Sequence, residues 1–554
     1  MTISSAFPLE PNSPGMTTVT ASAGGAARGT PAAASGRFFS RRHVLGGGLA
    51  IGVGALLTAC AGTPAGQLSA LTGPPQRGGL LRVGLGGGGA ADTLDAHIPV
   101  STTDIARVVN LYEALLYRDD NFDLKPLLAL SAKPSADART WTIRLRQDVV
   151  FHDGRKMTSH DVAATFARIV DPKDPKRGAS SLTVLDEVAV LGDHLLEFRL
   201  NTPTATFDDS LAQYSMGIVP ADYDPLHPVG TGPFQYKSFT AGRRSIFTRN
   251  DNYWRGNEPH LDELHILNFS DDSALINALL ATQVDAIGQV PLALLQVLES
   301  DPRVNILDSE TGMWLPFTMR VDRAPFDDVR VRQAFRLVVD REQMVKQVLS
   351  GHGTIGNDIY ALYDPGYPEN LPQRVQNIER AKELLAAAGY PHGLDVELVT
   401  APIQAGIVEA AQVFAQQALA AGINVTIRRV DTTTFFGDNY LKWDFAQDFW
   451  YTRNFLPQVN NGSLPTSPYN ETHWANPRFL ELVKQAKSTI DPTKRNELIT
   501  EAQTIEYNEG GYIIWGHPNQ ADAYQRYVGG LVPNATGLPL SGFEFRRVWI
   551  GGQS

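Results

Sequence analysis

The sequence predicts an α/β protein built from two or three domains, and three observations carry that expectation. Helical and extended patterns alternate through the downstream half, where "NIERAKELLAAAGYPHG" puts Ala381, Leu384, Leu385 and Ala388 on one face and stops at Gly389. The stretches "LDVELVT" and "INVTIRRV" alternate with such helices and read as strands. At 554 residues the chain also exceeds what one hydrophobic core organises. No fixed-period repeat and no coiled-coil heptad competes with this reading.

The N-terminal part is expected to be an address rather than a domain. The first 37 residues are rich in Ala, Gly, Ser, Thr and Pro, a composition expected to be disordered. Arg41 and Arg42 then precede an apolar run from Val44 to Ala59, short of the ~20 residues a spanning helix needs. A charged start and a short apolar middle make an export signal, and paired arginines suggest the twin-arginine route. "LTAC" resembles the bacterial lipoprotein cleavage box, and its Cys60 is the one cysteine of the chain. A buried, inert core thiol is the bland alternative; the position behind a signal favours a lipid attachment. Residues 1–59 are thus expected to be signal and residues 60–77 a tether.

Cleavage before Cys60 would leave 495 residues and move the net charge from −11 to −14. Such an acidic body is a poor nucleic-acid partner, because phosphate neutralisation needs clustered Lys and Arg. With no second cysteine, no disulfide staples it in an oxidising compartment. No later run approaches spanning length, so the lipid would hold a soluble protein at the extracytoplasmic face of a bacterial membrane.

Within the body, "GGLLRVGLGG" opens as a strand. The following "GLGGGG" (Gly84 to Gly89) lacks the Lys-Ser/Thr of a phosphate cradle and reads as a strand-to-loop exit. In "WTIRLRQDVVFHDG", Trp141, Ile143 and Leu145 alternate with Thr142, Arg144 and Arg146 as in a half-buried strand, and Asp153-Gly154 turns the chain. "TSHD" offers Thr158 as an N-cap with Asp161 three residues on, and Val162, Phe166 and Ile169 give the helix its apolar stripe. "VRVRQAFRLVVDREQMVKQVLSG" aligns Val331, Ala334, Phe335 and Val338 and reads as helix up to Gly351.

Taken together, these landmarks resemble the extracellular solute-binding proteins of bacterial ABC importers, family 5, the peptide, oligopeptide and nickel-binding branch. The resemblance covers nearly the whole body: "GGLLRVG" and "TLDAH", "LYEALLYRD", and most specifically "KPLLALSAKPSADARTWTIRLRQDVVFHDGRKMTSHDVAATFARIVDP". "HPVGTGPFQYKSF", "RNDNYWRG" and "ERAKELLAAAGYPHG" follow in order. It implies a two-lobed periplasmic-binding-protein-like fold (type II) with an extra domain in the first lobe and a cleft between the lobes. By analogy, lobe I spans 78–108, 220–312 and 521–554, the extra domain 110–218, and lobe II 314–519. The lobes would close on a solute by hinge motion.

Site residues follow from the same resemblance. Peptide-binding relatives carry Trp-x-x-Asp in the second lobe, where the aspartate meets the ligand ammonium. Here "DFWYTRNFLP" gives Trp450, Tyr451, Thr452 and then Arg453, with Asp448 nearby but out of register. A cation at the anion's place points to a carboxylate-bearing ligand, because guanidinium pairs bidentately with carboxylate; an internal salt bridge is the bland alternative. Thr102 and Thr103, Trp314 and Phe317, and Trp515 and His517 are further cleft candidates by position, each competing with ordinary core or hinge packing.

The 12 histidines are scattered, and His260 and His265 are five apart, so no dedicated metal site and no cofactor are expected. A secreted hydrolase is the competing class; no G-x-S-x-G elbow and no HExxH motif supports it. The expected partners are a small organic solute, peptide or anionic, and an ABC permease and ATPase complex, with the binding protein itself a monomer.

Overall fold

The computed structural model describes residue 71 and residues 74–551. The export signal with Arg41 and Arg42, and Cys60, lie outside the described residues. Among the described residues no helix is long and apolar enough to cross a membrane.

Three larger sheets organise the chain, and the first is seven-stranded. Its central strand, Leu80–Gly86, runs parallel to Glu263–Phe269 on one side and to Ala286–Ile287 on the other. Leu81, Val83 and Leu85 alternate into a fully buried interior, as successive side chains of a strand point to opposite faces. Gly84 is required here: a Cβ would stand 2.7 Å from a Leu275 methyl. The strand then leaves through Gly87 and Gly88, at φ +86° and +89°, where glycine carries no steric cost. The far strand, Gln520–Gln525, returns from near the C-terminus and inserts between Val304–Ser309 and Ala286–Ile287. This sheet is therefore stitched from segments far apart in sequence.

The second sheet is a four-stranded antiparallel body from the interval between the first sheet's segments, in the order Ala129–Pro134, Thr140–Leu145, Leu195–Leu200, Leu185–Gly192. Trp141, Ile143 and Leu145 face inward as their alternation requires. Helix Ser159–Ile169 covers them with Val162, Phe166 and Ile169, and Asp161 accepts the Thr158 amide at 2.9 Å to close its first turn.

In the third sheet, five-stranded, Leu394–Thr400 runs parallel to Ile423–Arg429 and Phe445–Gln447, with Phe317–Met319 and Tyr512–Ile513 completing it. Helices Val329–Leu337, Ile378–Ala387 and Ile407–Leu419 pack on it. The stretch read as one helix up to Gly351 is two, Val329–Leu337 and Arg341–Val348. Asp340 breaks it by capping the second, accepting the Gln343 amide at 2.9 Å, which requires a non-helical backbone.

Two chain passages link the first and third sheets. One leads from Val304–Ser309 to Phe317–Met319, the other from Tyr512–Ile513 to Gln520–Gln525. They are tied together by Thr311, whose hydroxyl donates to the Pro518 carbonyl at 2.7 Å.

Candidate functional site

The site grows from a column of aromatic rings at the edge of the third sheet. Trp314 and Trp450 exchange backbone hydrogen bonds of 3.0 Å in an isolated antiparallel bridge, which sets their indoles face to face. Their centroids are 5.8 Å apart at 15°, and Tyr360 stacks on the other face of Trp314 at 5.1 Å and 13°. Phe455 extends the column beyond Tyr360 at 5.9 Å, and Tyr512 meets Trp314 edge-on. Offset stacking and edge-to-face contacts of this kind are worth ~0.5–1.5 kcal/mol each beyond area burial.

Arg453 ends the column, its guanidinium 5.6 Å from the Trp450 ring. Its hydrogen bond to a side chain is a long one, Nη1 donating to Gln458 Oε1 at 3.4 Å. Among the described residues it makes no ion pair, so the internal salt bridge that would explain it away is absent there. Burial pushes its pKa down, opposed by Tyr214, Tyr451 and Tyr469. The nearby helix N-terminus is served by another group: Asp364 accepts the Phe455 amide at 2.8 Å.

All three sheet bodies meet around this point. Tyr214, on the short turn Tyr214–Met216 of the four-stranded body, faces Tyr451 and Arg453. Nearby, the Ala205 amide donates to the Lys487 carbonyl at 2.7 Å, and Asn454 Nδ2 to Asp209 at 3.4 Å. Thr452 donates to the Ala535 carbonyl at 3.0 Å, which brings in the C-terminal segment.

The remaining sequence candidates scatter. Tyr451 is 52 % exposed beside Phe449. Thr102 donates to Gln289 Oε1 at 3.2 Å, and the buried Thr103 hydroxyl is 2.8 Å from Ser101 Oγ. Phe317 packs on Phe414 at 4.5 Å inside the third sheet's core, where Trp515 is also fully buried. Both therefore have packing neighbours rather than an open face. His517 lies in the passage between sheets; burial lowers its pKa to about 4, so the neutral ring donates from Nδ1 to the Met313 carbonyl at 3.0 Å.

Asp448 does not reach Arg453. It points into the third sheet's body, accepting the Tyr440 hydroxyl at 2.9 Å and the Phe449 amide at 2.8 Å, next to Glu471. Burial raises the pKa of both acids, and the Asp448 carboxylate raises that of Glu471 further, while hydrogen bonds from Glu471, the Phe449 amide and Tyr440 hold Asp448 back. Sequence reading missed Glu471, Tyr214 and Tyr469, and none belongs to a motif that could have singled it out.

Comparison with known proteins agrees with this architecture. Residues 123–511 match the family described as bacterial extracellular solute-binding proteins, family 5 middle. The chain is 26% identical to heme-binding protein A of Haemophilus influenzae, covering 72% of this chain and 80% of that protein. It is 25% identical to the dipeptide-binding protein of Escherichia coli, covering 81% and 90%. Among solved structures, HbpA2 from Haemophilus parasuis superposes with a TM-score of 0.76 at 22% identity, over 86% of this chain and all of that one. AgaA of A. tumefacien R10, in complex with agropinic acid, does so with a TM-score of 0.69 at 25% identity, over 86% and 99%. The two-lobed fold expected from the sequence is borne out, and the chain belongs to family 5 of the bacterial extracellular solute-binding proteins, the substrate-binding components of ABC importers.

Proposed function

We propose that this protein captures a small carboxylate-bearing organic solute between its lobes and delivers it to an ABC permease and ATPase. The observation that carries the reading is Arg453: a half-buried guanidinium on an aromatic column, facing the four-stranded body, without an ion-pair partner among the described residues. Closing lobes over an unpaired cation costs several kcal/mol unless an anion meets it, and a ligand carboxylate is the simplest such anion. A short peptide supplies one at its C-terminus, and so does a non-peptide acid. The similarity to a dipeptide-binding protein and to AgaA, solved with agropinic acid, accords with both. Trp450, with Tyr451 and Tyr214, would wall the carboxylate's neighbours, while Trp314 supports Trp450 from behind. We assign lobe I to 78–108, 220–312 and 521–554, the extra domain to 110–218 and lobe II to 314–519.

Mass spectrometry of solute co-purifying with the folded protein identifies the ligand class. Small-angle scattering then compares stripped and reloaded protein. A carboxylate-bearing solute and a smaller radius of gyration on reloading are the expected results. A solute with no anionic group, or turnover of the solute, would sink the reading.

On the same reading the mature chain is held at the extracytoplasmic membrane face by lipid on Cys60, after export directed by Arg41 and Arg42. This rests on the signal and cleavage-box pattern of the sequence. Cys60→Ala is expected to appear in the medium or persist as precursor. Undiminished membrane retention of that variant in cell fractionation contradicts the anchor.

A further inference from the structure

The two residues flanking Arg453 are both held by distant parts of the chain, and Thr452 is the more firmly held. The antiparallel register that pairs Phe317 with Gln447 and Trp314 with Trp450 places Gly312 opposite Thr452. There the Gly312 amide donates to the Thr452 hydroxyl at 3.0 Å, and that hydroxyl donates in turn to the Ala535 carbonyl at 3.0 Å. Glycine permits the approach: a Cβ at 312 would stand 2.9 Å from the Thr452 methyl. One side chain, 8 % exposed, thus joins three segments. They are the edge of the third sheet, the passage from Val304–Ser309 to Phe317–Met319, and the turn at 534–537.

The turn that offers the carbonyl is pinned from several sides. Asp120, between strands Leu116–Arg118 and Leu124–Pro126, takes Arg547 on both carboxylate oxygens, at 2.6 and 2.8 Å. Its Oδ1 also accepts Asn534 Nδ2 at 2.9 Å, and its backbone carbonyl accepts the Ala535 amide at 2.8 Å. Asn534 Oδ1 accepts the Thr536 amide at 2.9 Å, and the Asn534 amide donates to Ser309 Oγ at 3.2 Å. The Ala535 carbonyl is therefore fixed to the first sheet's side, while Thr452 belongs to the third sheet's. The next two residues reach across in the same way. Arg453 faces Tyr214, and Asn454 Nδ2 donates to Asp209 at 3.4 Å. Asn454 stands at the N-cap of helix Phe455–Gly462, where asparagine ordinarily serves its own helix, yet its side chain caps nothing there.

We propose that Thr452 is a closure clasp, a positioning residue whose hydroxyl fastens the solute-binding segment around Trp450 and Arg453 to the 534–537 turn when the lobes shut. This rests on the lobe assignment given above, which puts 314–519 and 521–554 in different lobes, and not on the charge of the solute. Opening parts the hydroxyl from Ala535 and lets water take the carbonyl, while the Gly312 amide keeps its acceptor. Removing the hydroxyl costs the Gly312 amide its acceptor in both states. Only the closed state then also buries the Ala535 carbonyl without a donor, so the equilibrium moves toward open. A solute held by closure leaves sooner when the closed state is less populated, although none of its own contacts has changed.

Dyes on Leu226→Cys and Leu419→Cys, 81 % and 63 % exposed and assigned to opposite lobes, read the open-to-closed ratio by single-molecule energy transfer in the soluble Cys60→Ala protein. Thr452→Val is expected to raise that ratio about 3- to 10-fold, both as purified and after stripping, and Thr452→Ser to restore the wild-type ratio. Asn534→Ala, which loosens the turn from the other side, shifts the ratio the same way should the first variant fold poorly. A denaturant melt accompanies each variant, because a merely structural threonine would lower stability and leave the ratio alone. An unchanged ratio in a folded Thr452→Val protein, or a Thr452→Ser protein that stays open, overturns the clasp. A single dye distance that neither stripping nor any variant moves overturns lobe closure together with it. A ratio that follows Thr452 in a protein whose recovered solute lacks an anion keeps the clasp and refutes the Arg453 reading alone.

Discussion

Replacing Arg453 with Ala is expected to weaken binding of the co-purified anionic solute by ~2–5 kcal/mol, the range for truncating one partner of a buried, hydrogen-bonded charge pair. The size follows from the setting. Arg453 is flanked by Trp450, Tyr451, Tyr469 and Tyr214, so little water remains to solvate an orphaned ligand carboxylate once the bodies meet around it. Arg453→Lys is expected to recover part of the loss, because a point charge cannot reproduce the two parallel hydrogen bonds of a planar fork. Stability should barely change in Arg453→Ala. The side chain's long hydrogen bond to Gln458 is weak, and its removal strands no charge among the described residues. Isothermal titration of both variants beside a denaturant melt reads all of this. Unchanged affinity in a folded Arg453→Ala protein would make the arginine structural and remove the argument for an anionic ligand.

What the sequence made legible was what local chemistry decides. Thr158 with Asp161, and the Gly389 end of helix Ile378–Ala387, act within a few residues, so their signals are readable along the chain. The alternation of Trp141, Ile143 and Leu145 is equally local. Asp340 shows the limit of periodicity: the apolar stripe continues through it, while its side chain caps a new helix and ends the old one. Long-range partnership was not legible. That Gln520–Gln525 pairs with Ala286–Ile287 follows from no pattern in either segment, and the interleaved architecture was approached only through family resemblance. The site suffered from the same blindness. An aromatic residue beside a passage can wall a cleft or fill a core, and Phe317 and Trp515 do the latter. Glu471 meets Asp448 only because helix Phe455–Gly462 intervenes and the chain folds back behind it.

Trp314→Ala is expected to destabilise the protein by ~3–5 kcal/mol, the usual cost of emptying a large aromatic site in a core. Trp314 is 1 % exposed and touches rings on three sides: Tyr360 and Trp450 stacked on its faces, Tyr512 at its edge. Its backbone pairing with Trp450 would remain, but the indole of Trp450 would lose the surface that fixes its angle. Binding should therefore fall as well, although Trp314 itself is covered by its neighbours and reaches no solute. Trp314→Phe separates the two effects. A smaller ring keeps a stacked face for Trp450, so affinity should largely return while part of the stability deficit remains from the unfilled volume. Equilibrium unfolding and titration on the same preparations give both numbers. Full stability in Trp314→Ala would show that the column is not what holds the third sheet's edge. Lost affinity in a stable Trp314→Phe variant would instead put this indole in contact with the solute.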